Sequence, residues 1–249
     1  MKNSLKRRIT SRGLAILFLF PVIGFTQFTS AMGFSVSPVK VDLTERKKVI
    51  SLQVYNNGRS ATSIQAELMQ WKQEQGIDIQ KNISHDILIT PPIFTLAPGE
   101  TQVVRVGLRR PADTSQELSY RLFLQEIPAP NISQNQGLTM LMRISLPVFV
   151  EPNQLKVAEN LQWKVEKTPS NELLLRVDNA GNAHSQITEF NVQLMNGDEL
   201  KKQGNFYILP GSHQQWTFKL KSPIQANERI KLKAKTSSGH VNSELQLSP

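Results

Sequence analysis

The chain has 249 residues, with 29 Lys and Arg against 20 Asp and Glu, and no cysteine. No disulfide can hold it, so a sizeable apolar core must. Residues 1–31 carry five of the basic residues and no acid, so the rest holds 24 basic against 20 acidic residues, a net of +4. That balance is too mild for a nucleic-acid binder, and no basic cluster interleaved with aromatics supports one.

The first segment has the pattern of a secretory signal peptide. MKNSLKRRITSRG is basic, residues 14–25 are apolar, and Thr29-Ser30-Ala31 places small residues where a signal peptidase reads them. The apolar stretch falls short of the about 20 residues that a membrane span needs. Cleavage after Ala31 and a soluble mature chain are expected.

Strand signals then follow one another. Residues 34–43 (FSVSPVKVDL) alternate, with Pro38 marking an edge or a change of sheet. Residues 49–56 (VISLQVYN) alternate Ile50, Leu52 and Val54 with polar neighbours and end in the turn Asn57-Gly58. Residues 63–72 have helix-compatible composition, but Ile64, Ala66 and Leu68 alternate between turns, which predicts a strand and a hairpin at Gly76. Residues 87–95 contain Pro91-Pro92, where a cis bond at a corner is expected. After the turn Leu96-Ala97-Pro98-Gly99 come strands at 101–108 and 118–127. About seven strands in this half match the count of an immunoglobulin-like sandwich.

Residues 137–152 (GLTMLMRISLPVFVEP) are the most informative stretch, because residues 127–150 contain only one charge, Arg143. Leu138, Met140, Met142, Ile144 and Leu146 share one side of an extended strand. Pro147 cannot donate to a ladder, which puts the strand at a sheet edge near that residue. Two readings stay open on pattern alone. One is an ordinary core strand ending at a domain boundary; the other is an edge kept apolar because another chain pairs with it.

Beyond Glu151-Pro152-Asn153-Gln154 the chain partly repeats itself. Leu52-Gln53-Val54-Tyr55-Asn56-Asn57-Gly58 matches Leu175-Arg176-Val177-Asp178-Asn179-Ala180-Gly181, and Leu96-Ala97-Pro98-Gly99 matches Ile208-Leu209-Pro210-Gly211. Two matches in the same order imply a second sandwich of related design. Its strands are expected near 161–165, 173–179, 187–194, 205–208, 214–220, 230–236 and 241–247.

Catalytic motifs are missing from the sequence. The four histidines show no metal-ligand spacing, and three lie beside turn residues, which reads as solvated histidine. There is no GxSxG elbow, phosphate-binding glycine loop or cysteine nucleophile. Neither an enzyme nor a cofactor is indicated.

The segments TPPIFTLAPGETQVVRV (90–106), SYRLFLQEIP (119–128) and RISLPVFVEP (143–152) follow a signal-type segment and a PVKVDL strand. In that order they resemble the periplasmic chaperones of the chaperone–usher pilus pathway, with SYRL and SLPVFV closer to its archaic or alternative branch. The resemblance is strong over 33–152 and weaker over 155–249. It implies an all-β fold of two immunoglobulin-like β-sandwich domains in an L-shaped arrangement. The signal peptide would be 1–31, the N-terminal domain 32–152 and the C-terminal domain 153–249. It implies a function as well: capping incomplete pilus subunits by lending them a donor strand, and delivering them to an outer-membrane usher. Partners would thus be pilus subunits and the usher, with no small-molecule substrate and no cofactor.

The lent side chains implied are Leu138, Met140, Met142 and Ile144. Met suits that role because its flexible side chain fits several grooves. The resemblance also implies a basic anchor for the subunit's terminal carboxylate, with Arg121 first, then Lys40 and Arg143. The better-known branch carries a second basic residue near positions 145–147, which is not basic here. Arg105 and Glu117 occupy positions of an interdomain salt bridge whose third member, an acid, has no match near 235–239. A second class remains open: an exported two-sandwich adhesion or carbohydrate-binding module, with Trp163, Phe206, Tyr207 and Trp216 as candidate platforms, although in strands such residues are more often core.

Overall fold

Alternation dictates strands, and a computed structural model of the chain contains nothing else regular among the residues it describes: 33–128, 140–153, 156–222, 224–225 and 228–248. The signal-type segment and Leu138 lie outside the described residues. The first half forms β1 (Phe34–Ser37), β2 (Val41–Leu43), β3 (Val49–Asn56), β4 (Thr62–Glu74), β5 (Ile77–Ile83), β6 (Ile87–Thr90), β7 (Ile93–Leu96), β8 (Thr101–Leu108), β9 (Leu118–Ile127) and β10 (Arg143–Val150). The second half forms β11 (Leu161–Lys167), β12 (Glu172–Asn179), β13 (Ser185–Gln193), β14 (Glu199–Ile208), β15 (His213–Lys219), β16 (Arg229–Thr236) and β17 (Gly239–Gln246).

The strands make four sheets. Sheet A has the order β1-β3-β8-β6, and sheet B the order β2-β10-β9-β4-β5 with β7 also on β4. Leu52, Val54, Val104 and Val106 of sheet A face Ile64, Leu122, Leu124 and Val148 of sheet B in one buried core. Sheet C (β11-β12-β15) and sheet D (β14-β13-β16-β17) enclose a second core around Leu175, Val177, Ile187, Phe190 and Leu232. The all-β, two-sandwich expectation therefore holds.

The first half has more strands than expected because two stretches divide at prolines and the hairpin at Gly76 adds β5. Residues 34–43 pass from sheet A to sheet B across Pro38, and residues 87–95 do the same across Pro91-Pro92. Ser37–Pro38 and Thr90–Pro91 are both cis. In the second half β14 starts at Glu199, earlier than predicted. Residues 199–205 are almost all exposed, so no apolar alternation announces them.

The internal repeat is a repeated corner. Asn56 Nδ2 donates to the carbonyls of Ser60 and Leu96, and its Oδ1 accepts from Gly58 N–H. Asn179 does the same to Ala183, Ile208 and Gly181. Both asparagines are buried, and three bonds each satisfy a group that would otherwise be costly there. Gly99 and Gly211 follow the matched prolines with φ of 77° and 71°, a conformation that favours glycine.

The candidate aromatic platform does not form. Trp163, Phe206 and Trp216 pack around Phe190 in the second core, and Tyr207 is buried in a separate cluster.

Candidate functional site

β10 pairs antiparallel with β9 along its whole length, but on its other side parallel β2 covers only Val148–Val150. The edge from Arg143 to Pro147 therefore has no strand partner among the described residues. Glu151 N–H donates to Leu43 on the β2 side, whereas Met142 C=O accepts from Glu126 N–H on the β9 side. Main-chain groups alternate sides along a strand, so those of Arg143, Ser145 and Pro147 face the open edge. The N–H that Pro147 lacks is thus one that β9 never needed, which is how a proline is tolerated in this strand.

Even-numbered side chains of β10 point between sheets A and B. Leu146, Val148 and Val150 are buried there, and Ile144 and Met142 pack partly against the same core. Met142 rests over Gly33 at the start of β1. Met140, just before β10, is 75% exposed, and Leu141 is 45% exposed. The expected lending residues within the described part thus grade from half-buried Ile144 to exposed Met140 on one side of the chain.

Odd-numbered residues lie on the outer face of sheet B. Arg121 of β9 is opposite Pro147 of β10 and Met69 of β4. Its guanidinium carbon stands 3.7 Å from the Trp71 ring centre and 5.5 Å from that of Tyr207, a residue of the second sandwich. The side chain is 15% exposed, and its ion-pair contact is a long one, 3.9 Å to Asp78. Burial holds its pKa below the ordinary arginine value, with Asp78 opposing. Arg121 Nε and Trp71 Nε1 are buried donors with no acceptor among the described residues. Lys40 pairs with Asp42 at 3.0 Å. Burial raises the Tyr207 phenol, with Lys40 and Arg121 pulling against that rise. Arg143 is set apart: its guanidinium covers Phe123 at 4.0 Å, farther along the same face.

Trp71 and Phe149 of the first sandwich form a small buried cluster with Tyr207 and Leu209 of the second. His184 stacks on Phe149 at 3.6 Å between ring centres, inclined by 7°. Its Nδ1 and main-chain N–H both reach the Glu117 carboxylate, at 2.9 and 3.1 Å. Gln73 bonds Tyr207 C=O and Leu209 N–H, at 2.8 and 2.9 Å, as a neighbouring strand would. The expected pairing of Arg105 with Glu117 is not formed. Arg105 is exposed on β8 in sheet A, between Ser51 and Thr90, while the Glu117 side chain, 2% exposed, is taken by His184. His184 is accordingly a contact residue and not a solvated one. Its stacking partner is distant in sequence, and no local signal announced it.

A hollow of about 520 Å³ opens beside this contact, lined by Trp71, Gln73, Asp86, Arg110, Glu117 and Leu209 among others. Tyr120 donates to Asp86 there at 2.8 Å. Neither Arg121 nor β10 lines it. Among the described residues no cluster of His, Asp and Glu is arranged to hold a metal.

The two sandwiches, joined by a buried acid–histidine contact, have the immunoglobulin-like fold, and among the described residues the β10 edge from Arg143 to Pro147 has no strand partner. Residues 33–156 match the family described as pili and flagellar-assembly chaperone, PapD N-terminal domain. The chain belongs to this family of non-enzymatic pilus-assembly chaperones, the match lying in its first sandwich.

Solved structures repeat the fold across both sandwiches. One is the CsuC–CsuE chaperone–tip adhesion subunit pre-assembly complex from archaic chaperone–usher Csu pili of Acinetobacter baumannii. It shares 18% identity over 87% of this chain and 98% of that one, with a TM-score of 0.63. The Salmonella enterica SafA pilin–SafB chaperone complex shares 16% identity over 89% and 98%, with a TM-score of 0.58. The Pseudomonas aeruginosa CupB2 chaperone shares 18% over 84% and 98%, with a TM-score of 0.56. At such identities the likeness concerns fold. Among curated proteins none matches by sequence.

Proposed function

We propose that this protein is a periplasmic chaperone that lends the open edge of β10 to an incomplete pilus subunit and passes the capped subunit to an outer-membrane usher. The observation that carries this reading is the edge from Arg143 to Pro147. It is unpaired among the described residues, it runs on into exposed Met140, and it lies beside Arg121. A strand added there gains main-chain hydrogen bonds along the ladder, and alternate side chains supply the choice of partner. Met140, Met142 and Ile144, with Leu138 before them, extend the first core sideways into whatever docks. Arg121 receives the subunit's terminal carboxylate, assisted by Lys40, while Arg143 lies too far along the face to be the primary anchor. The reading includes a signal peptide over 1–31, cleaved on export, and a domain boundary at 152.

Co-expression with a candidate pilus subunit tests it. The wild type yields a soluble one-to-one complex. Met140→Asp abolishes capture while leaving the fold intact, because the side chain is already in solvent and a charge cannot enter an apolar groove. Undiminished capture by Met140→Asp, or by Arg121→Ala, rejects the corresponding half of the proposal.

A further inference from the structure

Arg121 is an unusual buried cation. Its guanidinium has five donors, yet the carboxylate nearest to it is 3.9 Å away, and that Asp78 already accepts a 2.8 Å bond from Gln73. Its Nε is buried and has no partner among the described residues. Burying a charge so poorly paired is unfavourable unless something else steadies it. Two rings do so. Trp71, from β4, underlies the guanidinium at 3.7 Å, and Tyr207, from β14 of the second sandwich, stands over it at 5.5 Å. The rings meet edge to face, 5.4 Å apart and inclined by 78°, so they hold the cation from two adjoining sides. The Tyr207 main-chain carbonyl itself accepts a bond from the Gln73 side-chain amide across the contact.

We propose that Trp71 and Tyr207 are positioning residues for carboxylate capture: a cation–π bracket, built half by each sandwich, that holds the Arg121 fork towards a terminal carboxylate. The inference rests on the function proposed above and deepens it, because the seat is then complete only while the second sandwich is docked. Stacking on aromatic faces satisfies the weakly hydrated faces of guanidinium and spares its in-plane N–H groups for a bidentate acceptor. Lysine at position 121 could not be held in this way.

The test is carried out on the full chain, with acetate as the carboxylate probe and the Arg121 Nε–H resonance as the readout. In the wild type this proton resonates upfield of free arginine, from the ring currents, and shifts on titration with acetate. Tyr207→Phe, which keeps the ring, retains both properties. Tyr207→Leu and Trp71→Leu weaken acetate binding about tenfold, the loss expected of a desolvated cation–π contact. An Arg121 resonance at the free-arginine position in the wild type overturns the bracket even if a leucine variant does not fold. So does unchanged acetate affinity in a folded Tyr207→Leu. Subunit capture by Arg121→Ala separates the two layers. If it is lost in Arg121→Ala but not in Tyr207→Leu, the anchor stands and the bracket fails; if Arg121→Ala captures normally, the anchor itself fails.

Discussion

Asn56 and Asn179 occupy equivalent corners of the two sandwiches and bond the same set of main-chain groups, yet the turns that they pin meet different surroundings. In the first sandwich the turn carries Ala97, which is exposed. In the second the same position is Leu209, 4% exposed against Trp71, Phe149 and Tyr207. The difference separates two tasks within one motif. Buried polar bonds make the corner, and the residue on its outer side decides whether that corner is a surface or a joint.

The largest effect expected tests the shared part. Asn56→Ala and Asn179→Ala each leave buried carbonyls and an amide unpaired, and each lowers stability by about 3 kcal/mol, read from urea unfolding. A much smaller loss at one of them breaks the equivalence. Leu209→Ala comes next, at about 2 kcal/mol for a truncated buried leucine, whereas Ala97→Leu is close to neutral. Small-angle scattering on Leu209→Ala detects loosening of the two sandwiches while the far-ultraviolet spectrum stays that of the wild type.

A double-mutant cycle with Glu117→Ala and His184→Ala is expected to give a coupling of about 1.5 kcal/mol, and additivity would remove that contact from the joint. The smallest effect concerns Asp178, which follows Val177 as Tyr55 follows Val54. The Arg176 fork, at 2.7 and 3.0 Å, holds the Asp178 carboxyl below its ordinary pKa. A depressed carboxyl contributes stability above its unfolded value, near 4, and loses it as pH falls through the lower folded value. Asp178→Asn should therefore flatten the acid loss of stability in this region, with no counterpart on changing Tyr55. Calorimetric scans between neutral and acid pH measure both.

Much of the fold was legible because one face of almost every strand is buried, so that apolar residues fall at every second position. That held for β3, β8, β9 and β12. It failed for β14, where 199–205 is wet on both sides and alternation has nothing to record. Pro38 and Pro91-Pro92 announced a corner but not which sheet received the outgoing strand. At the site, residue types and order pointed to Arg121 and the 137–152 stretch through family likeness. The Trp71–Tyr207 bracket and the His184–Glu117 contact were not legible, because each joins residues from different sandwiches and neither side alone has a distinguishing pattern. Of the two residues expected at an interdomain bridge, Glu117 meets His184 across the joint, while Arg105 stays exposed on β8.

The short parallel strand β2 has a mechanical consequence. It fills the downstream end of β10 and leaves five residues of ladder, about 17 Å at the usual rise. On the function proposed above, a guest strand sliding along this edge runs into Val41 as into a buffer stop, opposite Val148 and one rung beyond the pair of Pro147 and Arg121. If the edge is lent as proposed, residues 41–43 measure how deep a guest sits, as a ruler measures a rod laid against its end.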